Sequence, residues 1–247
     1  MTKLLSATII GIFLTFSVKA EILSVHCPLG CPENPAGNDL IFGHIYSLSN
    51  NPTTKFADWV AYKVDVINFG PSSPGRVRPK ESLLDKSETL EKEDYKGANS
   101  SGLKVDPGHQ APLASFASSH HWPELNHLSN ITPQHKDLNQ GAWAKLEIAV
   151  RNAVSYRKSL YVITGTLYNS NMGQLPNADE SHKIPSAYFK IVYDKKGAAQ
   201  AFLMEQTTSR DTHYCNKSVS LASLNNKVSF KLPKLKDSNV IASRLGC

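Results

Sequence analysis

Val105-Asp106-Pro107-Gly108-His109-Gln110-Ala111-Pro112, Leu128-Ser129-Asn130-Ile131-Thr132-Pro133-Gln134 and Asp137-Leu138-Asn139-Gln140-Gly141-Ala142-Trp143-Ala144-Lys145-Leu146-Glu147 fall within one stretch of the chain. Pro107 restricts Asp106 to extended geometry, so the first block reads as strand and not helix. Gly108 lets a neighbouring chain approach closely. Asp137 opens the clearest helix, with Gln140 in the capping-box position. Ala142, Leu146, Ala149, Val150 and Ala153 form its apolar stripe. Asn139, Trp143, Glu147 and Arg151 recur every four residues and make a second stripe at the rim of the core. The pattern sets a histidine on an extended segment, an asparagine at a helix start and a glutamate two turns on.

Outward from this stretch, the flanks read as strands and loops. Trp59 to Ile67 alternates, with Val60, Tyr62, Val64 and Val66 on one side, and predicts a strand with one buried face. Its other face should meet solvent or a groove. Ile41 to Leu48, Leu160 to Thr164, Ala187 to Tyr193 and Ala199 to Glu205 also read as strands, and Ser218 to Asn225 as a short helix. Residues 21–39 look irregular. Gly70 to Gly75 is a loop by its turn residues. Arg76, Arg78 and Lys80 follow at alternating positions and share one side of an extended chain. Residues 81–102 show no core pattern and read as a surface connection. Residues 113–127 read as loop and short helix.

Residues 1–20 carry a charged start at Lys3, an apolar run from Leu4 to Phe16 and a small-residue cleavage site at Val18-Lys19-Ala20. This is the form of a secretory signal, and the run falls short of the roughly 18 residues that span a bilayer. The expected mature domain is 21–247, secreted or periplasmic and with no membrane anchor. The formal charge is +6, or +4 without the two lysines of the leader. That mild excess favours polyanionic partners and decides nothing alone. Cys27, Cys31, Cys215 and Cys247 are an even set behind a leader, which indicates two disulfides. Order alone allows three pairings. We favour Cys27–Cys31 and Cys215–Cys247, with a zinc site on the Cys-x3-Cys spacing as the rival.

Phosphodiester hydrolysis needs an activated nucleophile, charge relief on the phosphorane and a stabilised leaving group. His109 is suited to take a proton from water. Asn139 offers one oxygen to magnesium, which keeps several waters, and Glu147 can hold those waters. An arginine offsets the growing charge. On spacing alone, a histidine after glycine is usually structural and an asparagine at a helix start is usually a cap.

The residue identities go further. Thr54-Lys55-Phe56-Ala57-Asp58-Trp59-Val60-Ala61-Tyr62, Asp94-Tyr95-Lys96-Gly97-Ala98-Asn99, the three blocks above and Ile184-Pro185-Ser186-Ala187-Tyr188 resemble the secreted DNA/RNA non-specific endonucleases of the Serratia nuclease type. These belong to the ββα-metal, or His-Me finger, superfamily. The resemblance implies an α+β fold: a central, mainly antiparallel sheet flanked by helices, with a ββα site at one surface. It implies a secreted endonuclease that cuts DNA and RNA with magnesium, for which manganese or another divalent ion can substitute, giving 5′-phosphorylated oligonucleotides. His109 matches the general base and Asn139 the direct metal ligand. Glu147 matches the glutamate on metal-bound water, and Asn130 a supporting site asparagine. Arg151 matches a substrate-binding arginine and Arg78 the arginine near the scissile phosphate, with Arg76 as its substitute. A homodimer is compatible with the family.

One position departs from the pattern. The family's Asp-Arg-Gly-His is Asp106-Pro107-Gly108-His109 here. Pro107 removes a charge and a backbone N–H. The alternative reading is therefore a weakened or inactive nucleic-acid-binding protein. A third is a secreted zinc hydrolase using His120, His121 or His127, although no His-Glu-x-x-His motif is present.

Overall fold

A computed structural model describes residues 21–71 and 83–247. The leader and the candidates Arg76, Arg78 and Lys80 lie outside the described residues. In chain order the strands are β1 (Asp39–Phe42), β2 (Tyr46–Asn51), β3 (Phe56–Val64), β4 (Val105–His109) and β5 (Ile131–His135). They continue with β6 (Leu160–Leu167), β7 (Ala187–Tyr193), β8 (Ala198–Glu205), β9 (Ser218–Val219) and β10 (Lys236–Asp237). The helices are α1 (Lys136–Leu138), α2 (Ala144–Asn152), α3 (Leu221–Asn225) and α4 (Asn239–Arg244), with a wide π turn at Asn139–Trp143 between the first two.

The main sheet runs β1-β2-β3-β6-β7-β8-β10, with β9 also paired to β8. Its pairings are antiparallel except for β10, which runs parallel to β8. β4 and β5 form a separate antiparallel pair. This is the α+β, mainly antiparallel architecture expected.

The sheet is buried on both faces. Val60, Tyr62 and Val64 join Leu146 and Val150 of α2 in one core cluster. Trp59 and Ala61 join Cys27, Leu224 and Phe230 in another. The expectation that the second face of β3 meets solvent or a groove is therefore corrected. It is covered by the N-terminal segment around Cys27, by α3 and by the irregular stretch around Phe230. A third cluster gathers Phe56, Leu90, Tyr95, Val105 and Ile131. Part of the 81–102 connection is thus core, anchored by the scattered Leu90, Tyr95 and Ala98.

Ile41 to Leu48 is not one strand. Gly43 breaks it into the β1–β2 hairpin, and its N–H donates to the Tyr46 carbonyl at 2.8 Å. The helix start also differs from expectation. His135, not Asp137, is the cap, and its ring accepts the Asp137 N–H. The short helix expected from Ser218 begins later, after β9, capped by the Ser220 hydroxyl. Both favoured disulfides, Cys27–Cys31 and Cys215–Cys247, are present. The cysteine-zinc alternative is thereby excluded.

Candidate active site

β4, β5 and the helix after them form a hairpin followed by a helix, lying against one end of the main sheet. The Tyr188 hydroxyl of β7 and the Gln206 amide both donate to the Pro133 carbonyl at 2.8 Å. That carbonyl therefore points away from β4. Pro107 sits directly opposite Pro133. Two prolines meet at a pair that exchanges no ladder hydrogen bonds, so Pro107 leaves the strand pairing intact. Gly108 is tightly enclosed: a Cβ there would lie 2.8 Å from the Gln134 Cβ.

A cleft of about 440 Å³ is lined by Asp106, Pro107 and His109 from β4, and by Asn139, Gln140, Glu147 and Arg151 from the helical segment, among others. The expected base, amide, carboxylate and arginine therefore share one cavity. In a straight α-helix, eight residues leave Asn139 and Glu147 about 80° apart around the axis. The intervening π turn, kinked at Gly141 (φ −106°, ψ −114°), re-phases the two halves so that both side chains reach the cleft. A Cβ at Gly141 would lie 2.6 Å from the Arg210 carbonyl oxygen, so only glycine fits there.

Asp106 organises the amides. Its Oδ2 accepts from Asn139 Nδ2 at 3.1 Å and from Gln140 Nε2 at 2.7 Å, and its Oδ1 accepts from Asn99. An ionised carboxylate is acceptor-only, so it must face the nitrogen end of the Asn139 amide. The amide oxygen is thereby turned outward as a donor atom for a hard cation. This donor set, a neutral oxygen with a carboxylate nearby, fits magnesium.

His109 Nε2 lies 3.0 Å from Asn126 Oδ1. An amide oxygen accepts, so Nε2 carries the proton and Nδ1 the lone pair. Asn126 was not among the sequence candidates. It stands 17 residues away on a 3-10 turn, Trp122–Asn126, and only the tertiary fold brings it to the ring.

Asn130 is fully buried and does not line the cleft. Its Nδ2 donates to the Ala111 and Leu125 carbonyls at 3.0 and 2.8 Å, and its Oδ1 accepts the Ala111 N–H at 2.9 Å. With its polar atoms occupied, it staples the segment just after His109 to the segment just before Asn126. The expected supporting asparagine thus has its side chain engaged with backbone and outside the cleft lining. His120, His121 and His127 are likewise absent from the cleft lining.

The Glu147 carboxylate is half-buried at the cleft wall; burial raises it more than Lys190, Arg151 and the Trp143 side chain lower it, and it ends at about 7. Lys190 is completely buried on β7, with Nζ 3.2 Å from the Tyr62 hydroxyl and 4.2 Å from the centre of the Trp143 ring. Burial lowers the lysine and Glu147 opposes that. The cleft thus has a cation beneath its carboxylate and Arg151 beside it.

A histidine-bearing strand, its antiparallel partner and a helix with amide and carboxylate define the ββα nuclease class. The chain belongs to the DNA/RNA non-specific endonuclease family, whose model matches residues 27–236. It is 44% identical to a nuclease of Serratia marcescens over 204 residues, covering 79% of this chain and 75% of that one. It is 29% identical to a nuclease of the Nostoc strain PCC 7120 over 181 residues, 69% of this chain and 62% of that one. EndoG, solved in complex with EndoGI, shares the fold with a TM-score of 0.67 at 20% identity, over 83% of this chain and 88% of that one.

Proposed function

We propose that the chain is a secreted or periplasmic endonuclease hydrolysing phosphodiester bonds of DNA and RNA, with His109 as general base. The observation that carries this is the meeting of His109, Asn139, Glu147 and Arg151 on one cleft. Asn139 Oδ1 would hold magnesium, and Glu147 would fix the surrounding waters. Magnesium, when bound, supplies Lewis-acid stabilisation to the phosphate oxygens. His109 takes the proton of the attacking water at Nδ1, while Nε2–H stays on Asn126. The new P–O bond forms from water and the P–O3′ bond breaks, a second water giving its proton to the leaving O3′, so that a 5′-phosphate and a 3′-hydroxyl remain. Arg151 offsets charge on the phosphorane, with Arg78, or Arg76 in its place, at the scissile phosphate. Phosphates repeat at every step, so no base edge has to be read. Residues 1–20 act as a leader, and two disulfides suit an oxidising compartment.

The test is cleavage of plasmid and of RNA, with magnesium and with chelator, by wild type and His109→Ala. Wild type shortens both substrates until chelator is added, and the variant does not. Equal cleavage by both would falsify the base assignment. Salt-sensitive binding without cleavage by wild type would leave only a nucleic-acid-binding protein.

A further inference from the structure

A second group of ligand-type side chains lies outside the cleft. His44 sits in the β1–β2 turn, and His121 and Glu124 lie just ahead of Asn126. The two imidazole rings are stacked, with centroids 3.8 Å apart and planes 3° from parallel. Both present Nδ1 to one carboxylate oxygen: Glu124 Oε1 is 2.5 Å from His44 and 3.5 Å from His121. The other oxygen, Oε2, accepts the His44 backbone N–H at 3.0 Å, which fixes the carboxylate. One donor atom from each residue lies within 4.8 Å of the other two. The two rings are 66% and 49% exposed while the glutamate is 19% exposed, so an ion arriving from solvent meets a seated carboxylate.

A single hydrogen bond to Glu124 needs only one of these rings. The second ring, in register with its nitrogen towards the same oxygen, completes a set of two imidazoles and a carboxylate. Tetrahedral zinc, with bonds of about 2.0–2.2 Å, holds its ligand atoms roughly 3.3 Å apart and must lie in both ring planes, so the two exposed rings turn out of their parallel stack to converge on it. Imidazole donors select zinc-class ions over magnesium, which takes oxygen. We propose that His44, His121 and Glu124 form a surface site for one zinc-class divalent ion, with water at the fourth position. None of the three lines the catalytic cleft. The ion ties the β1–β2 turn to the segment that carries Asn126.

The test uses the purified full chain, stripped with chelator and then titrated with Zn2+ in equilibrium dialysis under excess Mg2+. Wild type takes up one equivalent at micromolar free zinc, and so do His109→Ala and His120→Ala. The double variant His44→Asn/His121→Asn, changed only at exposed positions, loses more than about tenfold in affinity. Co2+ gives a tetrahedral visible spectrum with wild type and not with the double variant. Zinc raises the wild-type Tm by about 5 °C at a hundredfold excess over Kd and that of the double variant by no more than about half as much. The proposal is overturned if wild type takes up no zinc, if the double variant binds like wild type, or if uptake is lost in His109→Ala alone.

Discussion

The His109 imidazole is held by the Asn126 amide through one hydrogen bond of 3.0 Å between Nε2 and Oδ1. This contact fixes both the ring orientation and the tautomer that leaves Nδ1 basic. Asn126→Ala removes a bond of about 1–1.5 kcal/mol, so kcat should fall roughly tenfold with KM little changed. Asn126→Asp sets a carboxylate against the ring and favours the imidazolium, which moves the acid limb of the pH–rate profile to higher pH. Steady-state kinetics from pH 5 to 9 on a short duplex checks both. A fall confined to KM would show that Asn126 serves binding and not the base.

Glu147 supplies a second pH effect, on stability. Burial pushes its carboxyl up to about 7 from an ordinary value of 4.5. A carboxyl raised by folding binds a proton more tightly in the folded chain. Its stabilising effect is present below the unfolded value and is lost as pH rises through about 7. Glu147→Gln has no such loss and leaves the buried Lys190 without its counter-charge, which itself favours higher pH. Without divalent cation, raising pH from 5 to 7 should therefore shift the Tm difference in favour of the variant. Parallel melting curves for the two proteins across that range contradict the assignment.

Pro107 lines the cleft where the family's motif carries arginine. The strand tolerates arginine there, because the opposing Pro133 carbonyl is engaged by Tyr188 and Gln206 and not by β4. A recovered charge-assisted contact is worth about 1.5–3 kcal/mol. If it is felt in the transition state, Pro107→Arg raises turnover on DNA by roughly ten- to a hundredfold. No gain in a purified comparison means that the lost charge is compensated elsewhere in the cleft.

Gly141 keeps the two halves of the helix in phase. A methyl group there meets the Arg210 backbone and not a movable side-chain end. Overpacking of this kind costs about 1–3 kcal/mol, and Tm should fall by several degrees. Asn139 is two residues away, so Gly141→Ala should also raise the magnesium concentration needed for half-maximal activity. A stability loss with an unchanged magnesium requirement would separate the kink from the amide.

Cys215–Cys247 closes a loop spanning 32 positions and pins α4 near β8. Chain entropy assigns such a loop about 3–4 kcal/mol. Cys215→Ser/Cys247→Ser should melt roughly 6–16 °C lower. The cleft lies elsewhere, so the specific activity of the folded fraction should not change.

The elements that were legible carry local signals. Tyr188 and Val192 face one side of β7 and Phe189 and Ile191 the other, all of them apolar, and that run reads as a buried strand. His109, Asn139 and Glu147 stand in blocks distinctive enough to assign by resemblance. What escaped depends on contacts between distant residues. Asn126 meets His109 only after the 3-10 turns fold, and Asp106 gains its role only when three amides converge on it. Asn130 looks identical in sequence whether it enters the cleft or staples the backbone behind it. The cover over Trp59 and Ala61 comes from irregular segments and the one short helix α3, and where these dock is not set by periodicity.

The β4–β5 ladder is separate from the main sheet, although ladder and helix both pack against that sheet, and the cleft residues from Asp106 to Arg151 lie within one stretch of the chain. Such a unit is a cassette seated on a few fixed points, Tyr188, Lys190 and Gln206, while the rest of the sheet can drift under packing constraints alone. Divergence between relatives should therefore be free to accumulate in the scaffold's terminal wraps long before it touches the chemistry.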